Sequence, residues 1–321
     1  MIRYISGRIA MMIPVLLGVI LVTFTMMYLS PGEPARFVLG DMATEEDIAI
    51  FNEENGLNDP FIVQFASYVK NALTGDFGIS YTTKQPVFNE VLSRFPTTFK
   101  LTVLSIIFSV VIGVTVGIIS AVKQYGFIDN IMRVIAMLGV SMPTFWEGLM
   151  LIILFSVILG ILPSSGITTW KHWILPAFTL STQTLAASMR MTRSSMLEEI
   201  RQDYVRTARA KGQNEFEVII KHAFRNAVLP IITVIGVNFA RMMGGAAVVE
   251  IVFSVPGLGK LIVDAISVKN APVVQGGILF VAISMSFINL FTDVIYAFVD
   301  PRIRSQYIKP KRKKRILEGV Q

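Results

Sequence analysis

Few residues in this chain have side chains capable of chemistry. Four polar ones interrupt otherwise apolar runs: Glu147, Asn238, Arg241 and Asp293. A charge placed in lipid is costly, and it is held there by a partner, a water-filled cavity or an ion path. Arg241, one helical turn after Asn238, reads either as a translocation-path residue or as a structural pair with Glu147, Asp293 or an acid on a partner subunit. Glu147, Arg241 and Asp293 together also admit an ion relay of the kind an ion-coupled secondary transporter would use. The chain has no cysteine and only two histidines, His172 and His222. Disulfides, thiolate metal sites and iron–sulfur clusters are therefore excluded, and a histidine metal site is poorly supplied. Gly257-Leu258-Gly259-Lys260 is not a phosphate cradle, because Leu261 follows it and the upstream glycine of a P-loop is missing. No metal, cofactor or catalytic set is legible, so the chain reads as something other than an enzyme.

The elements that must position these residues are membrane spans. Of 321 residues, 53% are hydrophobic and 16% charged, against roughly 25% charged in an average soluble domain. Ile9 to Leu29 and Leu101 to Ala121 carry no charge, and each is long enough to cross a bilayer. Val134 to Leu162 spans with a bend at Pro143. Ala227 to Phe253 and Gly276 to Val299 are strong spans that carry Arg241 and Asp293. Ile174 to Met189, short and rich in Ser and Thr, is the weakest of six. Gly113 and Gly117 in span two, like Gly244 and Gly245 in span five, permit close helix approach.

Six spans put both termini on one side. Twenty of the 29 Lys and Arg residues fall on that side, eight on the other, and Arg241 lies within a span. The positive-inside rule places both termini in the cytoplasm. The formal charge of +7 is thus explained by topology, and a nucleic-acid partner loses its support. The tail Lys311-Arg312-Lys313-Lys314-Arg315 reads as an orientation signal and a contact for acidic membrane lipid.

Pro31 to Lys100, on the outer side, carries helix signals. Thr44-Glu45-Glu46-Asp47 has the form of a capping box, Asp59-Pro60 supplies an N-cap and first helical position, and Gly75 stands where that second helix stops. A small external helical cap is expected, a solvated acidic loop being the alternative. Between spans four and five, Asp203 to Ala210 reads as a helix with Gly212 just past its end, where a left-handed residue is favoured. A second helix starts near Asn214, and its Phe216, Val218, Ile219 and Ile220 are more apolar than a free helix needs. A partner surface, the ends of neighbouring spans, or a lipid surface must cover them.

The run Tyr204-Val205-Arg206-Thr207-Ala208-Arg209-Ala210-Lys211-Gly212, followed by His222-Ala223-Phe224-Arg225-Asn226-Ala227-Val228-Leu229-Pro230, resembles the cytoplasmic coupling loop of ABC importer permeases in the oligopeptide, dipeptide and nickel branch. Arg3-Tyr4-Ile5, Pro31-Gly32-Glu33-Pro34-Ala35, Gly56-Leu57-Asn58-Asp59-Pro60, Gly75-Asp76-Phe77-Gly78, Arg193-Ser194-Ser195, Pro256-Gly257-Leu258-Gly259 and Asp300-Pro301-Arg302-Ile303-Arg304 resemble that branch in the same order. The first of its two permease subunits, with the larger external segment, is the nearest likeness. Where the wider family has Glu-Ala-Ala before the loop glycine, this chain has Arg206-Thr207-Ala208, a mark of the peptide branch.

The resemblance implies an all-α polytopic membrane protein with the type I importer fold. Residues 1–30 would form the first span, 31–97 the external helical segment, 98–300 a five-helix core with the coupling loop at 198–226, and 301–321 the basic tail. Tyr204, Arg206, Thr207, Ala208, Ala210, Gly212, Phe216 and His222 are the coupling residues it implies. The implied partners are a second homologous permease subunit, two cytoplasmic P-loop ATPases that bind the ATP and Mg, and an extracytoplasmic peptide-binding protein. The implied function is peptide import across a bacterial plasma membrane. A nickel or metallophore importer and an ion-coupled carrier are the alternatives, and neither heterodimer nor homodimer is excluded.

Overall fold

The computed structural model describes residues 2–40 and 42–299, all of its regular elements being helical among those residues. The first long helix, α1 (Ile2–Leu29), is followed by three short ones, α2 (Pro34–Leu39), α3 (Glu45–Glu54) and α4 (Phe61–Leu73). Then come α5 (Val87–Val122), α6 (Phe127–Ser141) and α7 (Thr144–Leu151), which runs on as a π-helix over Ile152–Ile158. The second half contains α8 (Ile174–Ile200), α9 (Asp203–Ala210), α10 (Glu215–Glu217) with a π-helical stretch Val218–Phe224, α11 (Arg225–Val252), α12 (Leu258–Ser267) and α13 (Ala271–Val299).

Among the described residues four helices are long and apolar enough to cross a membrane, and α6 with the α7 stretch makes a fifth candidate bent by 111°. The bend falls at Met142-Pro143, where proline opens α7 and its missing N–H ends the α6 ladder. The bend expected at Pro143 is thus present, and its size breaks the segment into two helices. The sixth segment, α8, fails on apolarity and yet is among the most enclosed, with Thr179, Ser181, Thr184, Ser188 and Thr192 all buried. At 27 residues it is about 40 Å long. Protein supplies partners for some of these groups: Thr179 Oγ1 donates to the Leu175 carbonyl at 2.8 Å and Ser181 Oγ to that of Phe178 at 2.7 Å, whereas Ser188 Oγ and Thr192 Oγ1 are buried without a hydrogen-bond partner among the described residues. A helix surrounded by helices needs no lipid-facing apolar surface, which is why its sequence signal is weak.

Close approach of α5 to α8 rests on the two glycines expected to allow it. A Cβ at Gly113 would stand 2.8 Å from the Leu185 carbonyl oxygen, and one at Gly117 would stand 2.6 Å from Thr192 Cβ. Gly244 and Gly245 do not do the same for α11, since a Cβ at Gly245 would meet nothing within 4 Å. The tight crossing of α11 with α13 lies instead at Gly236, whose Cβ would overlap Thr292.

The short helices form the expected cap. Thr44 N–H donates to Asp47 Oδ2 at 3.0 Å and Asp47 N–H to Thr44 Oγ1 at 3.2 Å, completing the capping box. Gly75, past the end of α4, has φ +82°. Asp59 is not the side-chain cap expected of it: α4 begins after Pro60 with no side-chain cap. Ala35, Ile48, Phe51 and Tyr81 make the cap's own core. Asn270 locks it to the head of α13, accepting from Tyr81 N–H at 3.1 Å and donating to Ser80 and Thr82 at 2.9 and 3.0 Å. The basic tail and the Asp300-Pro301 run lie outside the described residues.

Candidate functional site

At the end of the bundle opposite the cap, α9 lies across the feet of α5, α8 and α11. Val205 and Ala208 face inward, and with Val218, Ile219 and Ala223 they pack on Ala121, Met196, Ala227 and Ile231. Ala208, one of the coupling residues the resemblance implies, is buried in the fold, and of the four apolar residues after Asn214 the neighbouring spans, one of the covers expected, take Val218 and Ile219. Phe216 remains 72% exposed and Ile220 36%. Arg206, Thr207 and Ala210 are exposed beside them on α9.

The turn between the two helices follows from its sequence. Gly212 has φ +76°, and a Cβ there would meet nothing within 4 Å, so the glycine is required for its left-handed backbone and not for space. Asn214 caps the next helix by accepting from Phe216 N–H at 3.0 Å. Arg209 straps the turn, donating to both Glu215 oxygens at 2.7 and 3.1 Å. Tyr204 donates to Glu199 and accepts from Asn226 Nδ2 at 2.9 Å, tying α9 to α8 and α11; burial first, and then the Glu199 carboxylate, push its phenol upward and keep it neutral. His222 Nε2 lies 2.7 Å from Gln213 Oε1. The second loop helix is not separate from span five: Glu215–Val252 is one rod of 38 residues, with the π-helical stretch inside it. A push on the turn thus acts directly on a membrane-crossing helix.

Beneath this end lies a polar clamp that sequence reasoning missed. Asp129 at the start of α6 is fully buried and accepts from Arg193 Nε at 2.7 Å and Nη2 at 2.8 Å, from Tyr125 N–H at 2.9 Å, and from Ser120 Oγ. It joins the ends of α5, α6 and α8 at one point.

Midway along the bundle, a cavity of about 230 Å³ opens on α8 and α11, lined among others by Thr179, Gln183, Arg190, Asn238 and Arg241. Of the four intramembrane candidates, only Asn238 and Arg241 meet here, with Arg241 Nη1 donating to Asn238 Oδ1 at 3.3 Å. The pairing of Arg241 with Glu147 or Asp293 is not made. Glu147, in the first turn of α7 after the Pro143 bend, is buried at 6% exposure and accepts from Thr182 Oγ1 at 2.5 Å. Asp293 pairs with Arg8 of α1 at 3.1 Å.

A fourth intramembrane charge, Glu250, also escaped the sequence reading. It is fully buried and receives Thr98 Oγ1 at 2.5 Å, Lys260 N–H at 2.8 Å and the Gly259 N–H, while Leu258 N–H donates to Thr98 Oγ1 at 2.8 Å. Pro256-Gly257-Leu258-Gly259 is the wall of this site. A Cβ on Gly257 would overlap the Glu250 carboxyl, and one on Gly259 would stand 2.6 Å from Ala247 Cα. The four-residue motif is thus a cradle for the chain's own carboxylate at the head of α12, and it was the available sequence signal.

Residues 113–305 match the family model described as binding-protein-dependent transport system inner membrane component, and residues 1–102 match its N-terminal companion. The chain belongs to this permease family. The permease is 42% identical to the dipeptide transport system permease protein DppB of Alkalihalophilus pseudofirmus, over 95% of this chain and all of that protein. It is 41% identical to the glutathione transport system permease protein GsiC of Escherichia coli K12, over 95% of this chain and 99% of that protein. Among solved structures, the inward-facing MetNI methionine ABC transporter aligns with a TM-score of 0.53 at 22% identity, covering 65% of this chain and 96% of that one. The permease is thus a membrane-embedded helical protein with the ABC importer permease fold.

Proposed function

We propose that the permease is one half of the translocation path of an ATP-driven peptide importer. In this reading the loop end faces the cytoplasm and the cap faces outward, with six crossings, α8 and the bent α6–α7 pair included. The observation that carries it is the turn around Gly212. It is held rigidly to α8 and α11 by buried apolar contacts and two polar straps, yet it presents Phe216, Ile220, Arg206, Thr207 and Ala210 outward with nothing among the described residues to cover them. Such a seated but uncovered surface suits a groove on a cytoplasmic ATPase. Tyr204, Gly212 and His222 hold its shape, and the polar wall at Asn238 and Arg241 faces the path shared with a second permease subunit. Peptide as substrate is supported by the names of its 41–42% identical relatives. ATP and Mg belong to the partner ATPases, and an extracytoplasmic binding protein delivers the peptide.

Mild-detergent purification of the tagged chain from its native membrane, with mass spectrometry of its companions, tests this. The reading expects two P-loop ATPases, a second permease and a binding protein carrying peptide, and it expects Phe216→Ala to release the ATPases while the permease pair stays together. Recovery of the chain alone, active in liposomes without ATP, would overturn it, and a binding protein loaded with nickel or a metallophore would replace the substrate.

A further inference from the structure

The charged groups inside the bundle divide unevenly. All three acids within the spans are engaged: Glu147 with Thr182, Asp293 with Arg8, and Glu250 with Thr98 and two backbone N–H groups. Two cations on the wall of the same cavity are not. Among the described residues Arg190 and Arg241 have no carboxylate partner, and Arg241 has only the 3.3 Å bond to Asn238. A guanidinium carries five donors in a planar fork that fits a carboxylate bidentately. Leaving Arg241 without a carboxylate at membrane depth, with Arg190 beside it just past the end of span four, is unfavourable unless the cavity carries water and an anion passes through it. Beside apolar Val140, Leu180, Ala187 and Met242, the wall's other polar residues, Thr144, Thr179, Gln183 and Thr184, offer hydroxyl and amide groups that can exchange hydrogen bonds with peptide units.

Resting on the peptide-import reading, we propose that Arg190 and Arg241 receive the C-terminal carboxylate of the peptide in transit, making the free carboxylate the feature this path selects. The two sit on different helices, α8 and α11, so a carboxylate between them also senses their relative movement. Arg190 lies toward the loop end of the cavity, where a carboxylate would arrive after Arg241 on the way in. The cavity's hydroxyls and amides would serve the remaining peptide bonds.

The test uses the complete complex in proteoliposomes with ATP, measuring uptake of alanyl-phenylalanine and of its C-terminal amide. The quantity read is the ratio of acid to amide uptake. The binding protein is common to every sample, so its own preference cancels when variants are compared with wild type. Arg241→Gln and Arg190→Gln are each expected to lower the ratio about tenfold, chiefly by slowing the acid, and Arg241→Lys is expected to restore part of it. If both peptides slow in proportion in the Gln variants, the arginines pair with the neighbouring subunit instead and the proposal fails. A wild type that moves both peptides equally also overturns it. A wild-type complex that imports neither peptide overturns the peptide reading itself, a result distinct from an unchanged ratio.

Discussion

Glu250 and Arg241 stand on the same helix, α11, and both lie within the span, yet the chain treats them in opposite ways. Around Glu250 it has built a closed site from a hydroxyl and two backbone N–H groups, with glycines at Gly257 and Gly259 where a side chain would collide. Around Arg241 it has built a cavity wall and left the charge with one long bond. The difference separates a charge that holds the fold from one that awaits something outside this chain. Asp129 falls with Glu250: buried, bidentate with Arg193, and fully provided for.

The contrast can be broken by substitution. Asp129→Ala should have the largest effect, because it strands the half-buried Arg193 guanidinium, and losing one partner of a buried pair costs about 3–5 kcal/mol. Thermal unfolding of the purified complex should show it as a clear fall in Tm or as failure to accumulate in the membrane. Glu250→Gln comes next: the amide NH₂ replaces an acceptor facing a backbone N–H, at about 1–3 kcal/mol, read in the same unfolding experiment. Gly212→Ala should cost about 1 kcal/mol, since the methyl meets no atom and only the left-handed backbone penalises it. Its signature would be ATP hydrolysis poorly coupled to uptake in a complex that still assembles. Arg241→Gln should change stability least, by under about 0.5 kcal/mol, while still altering transport. If Arg241→Gln lowered Tm as much as Glu250→Gln, the open cation would be part of the fold after all.

What the sequence made legible follows the same division. Apolar runs marked α1, α5, α11 and α13, because a lipid-facing helix must be apolar whatever it packs against. Local rules marked the Thr44 capping box and the left-handed turns at Gly75 and Gly212, since each needs only neighbours a few residues away. The polar interior of α8 was weak in sequence because protein, not lipid, surrounds it. Asp129 and Glu250 were passed over because their partners, Arg193 and Thr98, lie 64 and 152 residues away. Arg241 was visible as an isolated charge, but its freedom from Glu147 and Asp293 was a tertiary fact, as was the company of Arg190. The bend at Pro143 was legible but its size was not: proline marks where a helix is interrupted, and the 111° turn accompanies the packing of α7 on α8 and α11.

The most direct measurement of the central claim is dipeptide accumulation in proteoliposomes holding the complete complex, with and without ATP at the loop end and with no ion gradient. The expected result is accumulation only with ATP, abolished by Phe216→Ala although the permease pair remains intact. Accumulation driven by a proton gradient in the absence of ATP, undiminished by Phe216→Ala, would contradict ATP-driven import through the Gly212 loop.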